Sequence, residues 1–213
     1  MKGQGSVTVS VELKRSLQQA AELYHAQLGP AVPYLMGRGV TEETANTFRL
    51  GFASDPQIGH EQYRGKLAIP FITPSGVIDI RFRALDTDDG AKYLTRPGAS
   101  SHLYNVSAFQ VDTDVIAICE GEFDTMIATQ CGVTAVGVSG ANNWKDWYQR
   151  AFRDYRRVFV LTDGDNAGRE LGNRIAKQID VAVIAPMPDG LDVNEFVLQY
   201  GADELRKRVG MYE

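Results

Sequence analysis

Two acidic motifs, each placed directly after an apolar run, carry the chemistry that this sequence suggests. Asp163 and Asp165 follow the run VFVLT, and Glu120 follows the run VIAIC. An open parallel sheet binds ligands outside the carboxyl ends of its strands, so both motifs are expected at one edge. Mg²⁺ prefers oxygen ligands and is usually held by one or two carboxylates together with substrate phosphates. The pattern therefore predicts a magnesium site for phosphate chemistry.

The residues around these acids decide how specific the prediction is. An Asp-Gly-Asp segment alone is also a common turn composition, but the preceding VFVLT and the following Ala-Gly-Arg favour a site. Gly164 is expected to let the backbone turn sharply and to let a phosphate approach. Glu120 could be a metal ligand or a general base, or only an acid favoured at a helix N-terminus.

Further acids lie near these motifs. Asp124 lies one helical turn after Glu120 and can face the same side, whereas Glu122 falls off that face and is expected in solvent. Asp192 is followed three residues later by Glu195, a capping-box pattern, which favours a cap and is compatible with metal binding. Asp189 is expected to be a turn residue.

Composition excludes several classes of protein. The 213 residues are 44% hydrophobic and 23% charged, which suits one large or two small globular domains. No apolar run approaches the roughly 18 residues of a membrane span, and the polar N-terminus does not suit a signal peptide. We therefore expect a cytoplasmic protein without a membrane partner. Two cysteines are too few for a disulfide framework, and three distant histidines show no zinc spacing.

The formal net charge of −5 argues against a simple electrostatic nucleic-acid binder, but the charge is unevenly spread. Residues 64–96 contain six bases and four acids, a balance of +2, whereas residues 112–124 contain five acids and no base. An acidic metal site attracts polyphosphates only after its cations bind. A basic segment beside an acidic one suits such an enzyme, and ordinary solvated surface is the alternative.

The elements that must position these residues follow from periodicity. Helices are predicted at residues 16–28, 31–36 and from a Thr41 cap to residue 48, and strands at 67–73, 76–84 and 92–94. From residue 115 strands and helices alternate: strands at 115–119, 134–138, 157–162 and 181–186, with one helix ending near residue 132 and others at 143–152 and 167–179. This alternation predicts parallel strands and a boundary between two domains, residues 1–110 and 111–213.

Three motifs together resemble a known family. EGEFD (120–124), TDGDNAGR (162–169) and PDGLDVNEF (188–196) resemble the Toprim motifs of bacterial and phage DnaG-type primases. YLMGRGVTEETANTFRLGFA (34–53), KLAIPFITPSGVIDIRFRAL (66–85) and KYLTRPG (92–98) resemble the primase-specific front part of that catalytic core. The likeness runs from about residue 17 to residue 201. Toprim motifs also occur in topoisomerases and nucleases, so the front strings select primase.

The resemblance implies an α/β fold: a Toprim-type parallel sheet flanked by helices, packed against a smaller N-terminal mixed α/β subdomain. It implies a metal cluster for Mg²⁺ or Mn²⁺, with Glu120, Asp163 and Asp165 as the catalytic residues and Glu120 in proton transfer. The implied metal ligands are Glu120, Asp124, Asp163, Asp165 and Asp192. The implied nucleotide and template contacts are Lys66, Arg81, Arg83, Lys92 and Tyr93. The implied activity is synthesis of short RNA primers on single-stranded DNA from ribonucleoside triphosphates.

Departures from the family shape the remaining expectations. Asn194 stands where bacterial members often carry aspartate. No zinc-binding module, helicase-interacting domain or P-loop motif is recognised, so a stripped-down core of phage type is expected. A separate zinc-binding primase module and a replicative helicase are then candidate partners. The alternatives are a Toprim nuclease that uses the same acids and a non-catalytic single-strand-binding accessory subunit.

Overall fold

The computed structural model describes residues 10–86 and 91–211. The chain forms two compact units, one of residues 1–34 and 45–100 and one of residues 35–44 and 101–213. We call them the first unit and the second unit. The division at residues 110 and 111, inferred from the sequence, stays a prediction.

Two of the three helices of the front segment begin at polar caps. α1 (Val11–Ala26) starts five residues before its predicted start because Ser10 Oγ accepts a hydrogen bond from the Leu13 N–H at 3.1 Å. α2 (Val32–Gly37) follows a short 3₁₀ turn. α3 (Glu42–Thr47) begins after Thr41, whose Oγ1 accepts from the Thr44 N–H, as predicted.

The first unit contains an antiparallel sheet of four strands in the order β1-β2-β3-β4. These are β1 (Gly51–Phe52), β2 (Leu67–Thr73), β3 (Gly76–Arg83) and β4 (Tyr93–Thr95). The predicted hairpin of β2 and β3 is confirmed, and β1 is an additional strand. Ile80 and Phe82 of β3 join Tyr24 of α1 in a buried core. Since successive side chains alternate between faces, Arg81 and Arg83 lie on the face opposite α1.

The second unit contains a five-stranded sheet in the order β5-β7-β6-β8-β9. Its strands are β5 (Leu103–Tyr104), β6 (Val115–Cys119), β7 (Ala135–Val138), β8 (Arg157–Leu161) and β9 (Ala182–Ile184). The four strands from β6 to β9 are parallel, which confirms the prediction from strand–helix alternation. β5 pairs antiparallel with β7 at one edge and was not predicted.

Two helices pack against this sheet, α4 (Glu122–Gln130) and α5 (Asn166–Ala176). α6 (Val193–Tyr200) packs against α4, and α7 (Ala202–Arg208) packs against α6. The α-helix predicted at residues 143–152 was wrong. Two 3₁₀ segments, Ala141–Asn143 and Asp146–Phe152, replace it. Trp144 and Lys145 between them are extended, and the buried Trp144 indole donates to Gln178 Oε1 at 2.8 Å. This hydrogen bond to a residue 34 positions away stabilises the extended segment that interrupts the predicted helix.

The second core lies between the sheet and its helices. Ile116, Ile118, Val158 and Val160 are almost completely buried against Trp144 and other large side chains. Cys119 and Cys131 are free thiols, and both are buried. Within residues 10–86 and 91–211, no helix has the length and hydropathy needed to cross a membrane. The α/β fold class is confirmed.

Candidate active site

Glu120 lies at the carboxyl end of β6, directly before Gly121, the N-cap of α4. Burial raises the pKa of its carboxyl, while the backbone N–H groups of Asp163 and Ala141 act in the opposite direction. Its Oε2 is buried, and no hydrogen-bond partner for it occurs in the described part of the chain. A buried carboxylate oxygen without a donor is costly, so this atom suits a cation or a proton.

Asp163 and Asp165 lie at the carboxyl end of β8, on either side of the turn into α5. Asp165 caps α5, since its Oδ1 accepts from the Gly168 N–H at 2.7 Å. Burial, followed by the charges of Asp124 and Glu120 and of two further acids, raises the pKa of Asp163 to about 8. Its Oδ1 is buried and, among the described residues, has no partner. The two strand ends thus bring carboxylates together.

Gly164 has a packing role that the sequence did not reveal, and its predicted contact with phosphate stays a prediction. It is buried, and a Cβ there would lie 1.9 Å from the Pro188 carbonyl oxygen. Its N–H donates to Leu191 O at 2.9 Å, and its carbonyl accepts from the Gly190 N–H at 3.1 Å. The glycine therefore lets the segment 188–191 pack against the β8 turn, and this packing brings Asp192 to the same edge.

Asp192 caps α6 through the predicted capping box. Its Oδ1 accepts from the Glu195 N–H at 2.7 Å, and Glu195 Oε2 accepts from the Asp192 N–H at 3.1 Å. The charge of Asp192 also raises the pKa values of Asp124 and Asp163. The residue thus combines the cap that the sequence favoured with a place among the carboxylates. Asp189 lies in the preceding turn and forms an exposed ion pair with Arg169 at 3.4 Å.

Asp124 is the most deeply buried of the five acids, with 6% of its surface exposed. Burial, and next the charge of Asp192, raises its pKa to about 7. The Asn194 N–H donates to Asp124 Oδ1 at 3.2 Å, and the positive charge of Arg38 lowers the Asp124 pKa. The Asn194 N–H and the Arg38 charge therefore stabilise the ionised form of Asp124, but they offset only part of the effect of burial on its pKa.

Two features of this site escaped the sequence reasoning. Arg38 donates to Asn194 Oδ1 at 3.0 Å, and its carbonyl accepts from Asn194 Nδ2 at 2.5 Å. The oxygen and the nitrogen of the Asn194 amide thus both bind Arg38. The two residues lie 156 positions apart in the sequence, so no local sequence pattern indicates this contact. Glu122, expected in solvent, is 1% exposed, so that prediction was wrong. Its charge adds to burial in raising the pKa of Tyr104.

The carboxylate oxygens at this edge of the sheet suit the binding of a divalent cation. Five carboxylates influence one another electrostatically, and two of their buried oxygens have no donor in the described residues. No three His, Cys, Asp or Glu side chains among residues 10–86 and 91–211 are grouped closely enough to hold one ion together. Mg²⁺ commonly takes one or two protein carboxylates and completes its shell with water and phosphate oxygens. The five-residue ligand set stays a prediction.

Two arginines of the first unit, Arg81 and Arg83, cluster around the Tyr93 ring. The guanidinium carbons of Arg81 and Arg83 lie 4.1 Å and 4.9 Å from the Tyr93 ring centroid, and Arg83 donates to the Tyr93 hydroxyl. The structure pairs Arg83 with Tyr93 across β3 and β4, which explains this contact. Lys66 is buried and Lys92 is exposed. The sequence-predicted contacts Arg81, Arg83 and Tyr93 are therefore brought together.

Comparisons with known proteins show the family of this chain. Residues 117–197 match the Toprim-like family. The Gene 57 protein of Mycobacterium phage D29 is 43% identical over 152 residues, which are 69% of this chain and 99% of that protein. The DNA primase of Enterococcus faecalis is 28% identical over an alignment covering 89% of this chain. The chain belongs to the DnaG-type primase family.

A solved structure supports the fold of this primase-family chain. A DNA primase domain from Pseudomonas aeruginosa superposes with a TM-score of 0.78 and 26% identity, covering 92% of this chain and 78% of that one. The chain spans about two fifths of the length of the Enterococcus faecalis primase, whose alignment covers 40% of that protein. The Toprim assignment and the two-sheet α/β architecture, both predicted from the motifs, are confirmed.

Proposed function

We propose that this primase-family chain is a catalytic core that synthesises short RNA primers on single-stranded DNA from ribonucleoside triphosphates. The observation that carries the proposal is the meeting of Glu120 and Asp163 at adjacent strand ends, each with a buried carboxylate oxygen that has no donor within the described residues. Burial and mutual repulsion of the acids favour a bound cation, which nucleotidyl transfer requires.

The five acidic residues at this edge of the sheet have different proposed roles. Glu120, Asp163 and Asp165, supported by Asp124 and Asp192, would hold Mg²⁺ or Mn²⁺, which supplies charge stabilisation at the transferring phosphate and the leaving pyrophosphate. Glu120 is the candidate for proton transfer, since burial raises its pKa above that of an ordinary glutamate. Asp165 and Asp192 fix the start of α5 and α6 through their caps, so the carboxylates are held by rigid elements.

The cluster of Arg81, Arg83 and Tyr93 is the proposed contact for nucleotide and template, together with Lys66 and Lys92. Arginine guanidinium groups bind phosphate through paired N–H donors, and the Tyr93 ring restricts both guanidinium groups. Contacts of this kind position a strand without reading its sequence.

Partners follow from the same proposal. A template strand and ribonucleoside triphosphates are the substrates, and a replicative helicase and a separate zinc-binding primase module are proposed as protein partners. We propose a cytoplasmic location, in a bacterial cell or a phage-infected bacterial cell.

The test uses single-stranded DNA labelled at its 5′ end, all four ribonucleotides, and Mg²⁺ or Mn²⁺. A primase leaves the labelled template at full length and makes short, nucleotide-dependent RNA, which staining or labelled nucleotide detects. Shortening of the template without RNA would replace the proposal by a Toprim nuclease. Binding of the template with neither product, also after addition of a zinc-binding primase module, would leave a single-strand-binding subunit. Asp163→Asn is the control for any activity observed.

A further inference from the structure

The 3₁₀ segment Asp146–Phe152 presents a ridge of three exposed side chains. Residues three apart are eclipsed in a 3₁₀ helix, so Trp147, Arg150 and Arg153 lie on one line, spaced by about 6 Å. Arg153 follows the segment with helical dihedrals, φ −64° and ψ −32°. Trp147 is 61% exposed, and both arginines are exposed. An α-helix with the same sequence would spread the three side chains around its axis. We call these residues the Trp147 ridge.

The opposite side of the segment fixes the direction of the ridge. Tyr148 and Phe152 are 3% and 0% exposed, and both belong to the core of the second unit. The Tyr148 hydroxyl donates to the Ser101 carbonyl at 2.8 Å, and the rings of Trp144 and Tyr148 meet edge to face. These contacts anchor the segment and leave the ridge facing solvent.

The charge around the ridge contrasts with that of the chain. Residues 145–157 contain five bases and two acids, a balance of +3 in a protein of net charge −5. One of the two acids, Asp146, is already bound to Arg174 and Gln178 at 3.0 Å each. Within residues 10–86 and 91–211, neither Arg150 nor Arg153 forms an ion pair, so both guanidinium groups are available to a ligand.

The ridge lies apart from the acidic edge. Asp146 contacts the C-terminal end of α5, whereas Asp165 caps the N-terminal end of the same helix. Eleven residues of α-helix separate these ends by about 16 Å. The ridge is therefore not part of the candidate metal site.

We propose that the Trp147 ridge is an accessory binding surface for single-stranded nucleic acid. A base stacks on the Trp147 indole, and Arg150 and Arg153 bind successive phosphates. An exposed aromatic side chain between cations favours unpaired bases, because a duplex keeps its base faces stacked internally. This surface goes beyond the proposed primer synthesis, and it would hold a strand outside the acidic edge.

The test exploits the two tryptophans of the chain. Trp144 is 1% exposed and Trp147 is 61% exposed, so an oligonucleotide stacked on the ridge quenches mainly Trp147. The full chain is titrated with single-stranded DNA, single-stranded RNA and duplex DNA in EDTA without nucleotides, and Trp147→Phe identifies the signal. These conditions exclude catalysis, so the result is independent of the proposed activity.

Affinity measured by anisotropy of a labelled oligonucleotide tests the ridge residues. Trp147→Ala is expected to weaken binding about fivefold or more. Arg150→Ala combined with Arg153→Ala is expected to weaken it further and to reduce the slope of log K against log salt by about 1.4. Arg15→Ala combined with Lys207→Ala removes the same charge from exposed positions elsewhere and is the matched control. Circular dichroism checks that each variant is folded.

The proposal is supported if either single-stranded ligand quenches Trp147 and the ridge variants lose more affinity than the control. The ligand that binds more tightly, DNA or RNA, is then the one that the ridge prefers. Three results would overturn it: binding without quenching of Trp147, equal losses in ridge and control variants, or preference for duplex DNA. Quenching by an acidic protein but not by an oligonucleotide would also overturn it and would make the ridge a protein-docking surface.

Discussion

The carboxyl group of Asp163 affects both the stability of the folded protein and the proposed metal site. Its raised pKa means that the folded protein resists its ionisation, because burial and the charges of neighbouring acids oppose a further negative charge. The sequence predicted that Asp163 and Glu120 follow adjacent strands, and this part needed only apolar runs and acids. It could not predict the burial of Asp124 or the contact of Asn194 with Arg38, because both depend on α4, α6 and residue 38 packing together.

Replacing Asp163 by asparagine separates the two roles. Asp163→Asn removes a repelled charge, so at pH 8.5 without metal the thermal midpoint is expected to rise by a few degrees. The same change removes a proposed ligand, and RNA synthesis is expected to fall at least about a hundredfold. Asp189→Asn changes an exposed turn carboxylate nearby and is the control, expected to alter neither quantity much. A lower midpoint for Asp163→Asn would contradict the repulsion described here.

Tyr93 allows a graded test of the basic cluster. Tyr93→Ala removes the ring that lies beneath Arg81 and Arg83, whereas Tyr93→Phe removes only the hydroxyl that accepts from Arg83. We expect Tyr93→Ala to raise the KM for template or nucleotide about tenfold and Tyr93→Phe to raise it less. Stabilisation by Mg²⁺ should be unchanged in both, as thermal unfolding will show. Loss of that stabilisation would mean that the cluster acts through the metal site.

The elements that carry the acids were predictable, and their exact neighbours were not. β6, β8 and α5 follow from apolar runs and strand–helix alternation, and their predicted bounds lie within three residues of the observed ones. β1 and β5 contain two residues each and have no period to detect. The 3₁₀ segment after Lys145 depends on the burial of Trp144 against Gln178, which no local pattern reveals.

Gly164 gives a test at the scale of elements, because it holds the segment 188–191 against the end of β8. A methyl group there would lie 1.9 Å from the Pro188 oxygen, so Gly164→Ala is expected to reduce the free energy of unfolding by about 3 kcal/mol. Gly37→Ala is the matched control, because a methyl group on this last residue of α2 would have no atom within 4 Å. We expect it to be neutral or stabilising by up to about 1 kcal/mol. Urea unfolding measures both, and equal midpoints would contradict the packing described.

Across the whole molecule, the acidic edge links stability to pH and to metal. The folded-state pKa values of Asp163 and Asp124 are raised to about 8 and about 7, so the folded protein binds more protons than the unfolded chain between about pH 4 and 8. Their contribution to stability is therefore present at low pH and lost as the pH rises through these values. The thermal midpoint of the metal-free protein is expected to fall over this window.

Metal should reverse that trend, because Mg²⁺ binds the ionised carboxylates. Saturation at 100 times the dissociation constant stabilises a folded protein by about 2.7 kcal/mol. The gap between the thermal midpoints with and without Mg²⁺ is thus expected to widen from pH 6 to pH 8.5 in the wild type. It should close in Asp163→Asn. A gap that is independent of pH would show that the ion binds elsewhere.

The most direct measurement is synthesis of RNA on circular single-stranded DNA by the unmodified chain, with labelled ribonucleotides and Mg²⁺ or Mn²⁺, beside Asp163→Asn and Asp189→Asn. Circular DNA offers no 3′ end to extend, so any labelled RNA arises by initiation. The account predicts short RNA from the wild type and from Asp189→Asn, and none from Asp163→Asn. Equal synthesis by Asp163→Asn, or no RNA from any of the three chains even with a zinc-binding primase module added, would contradict it.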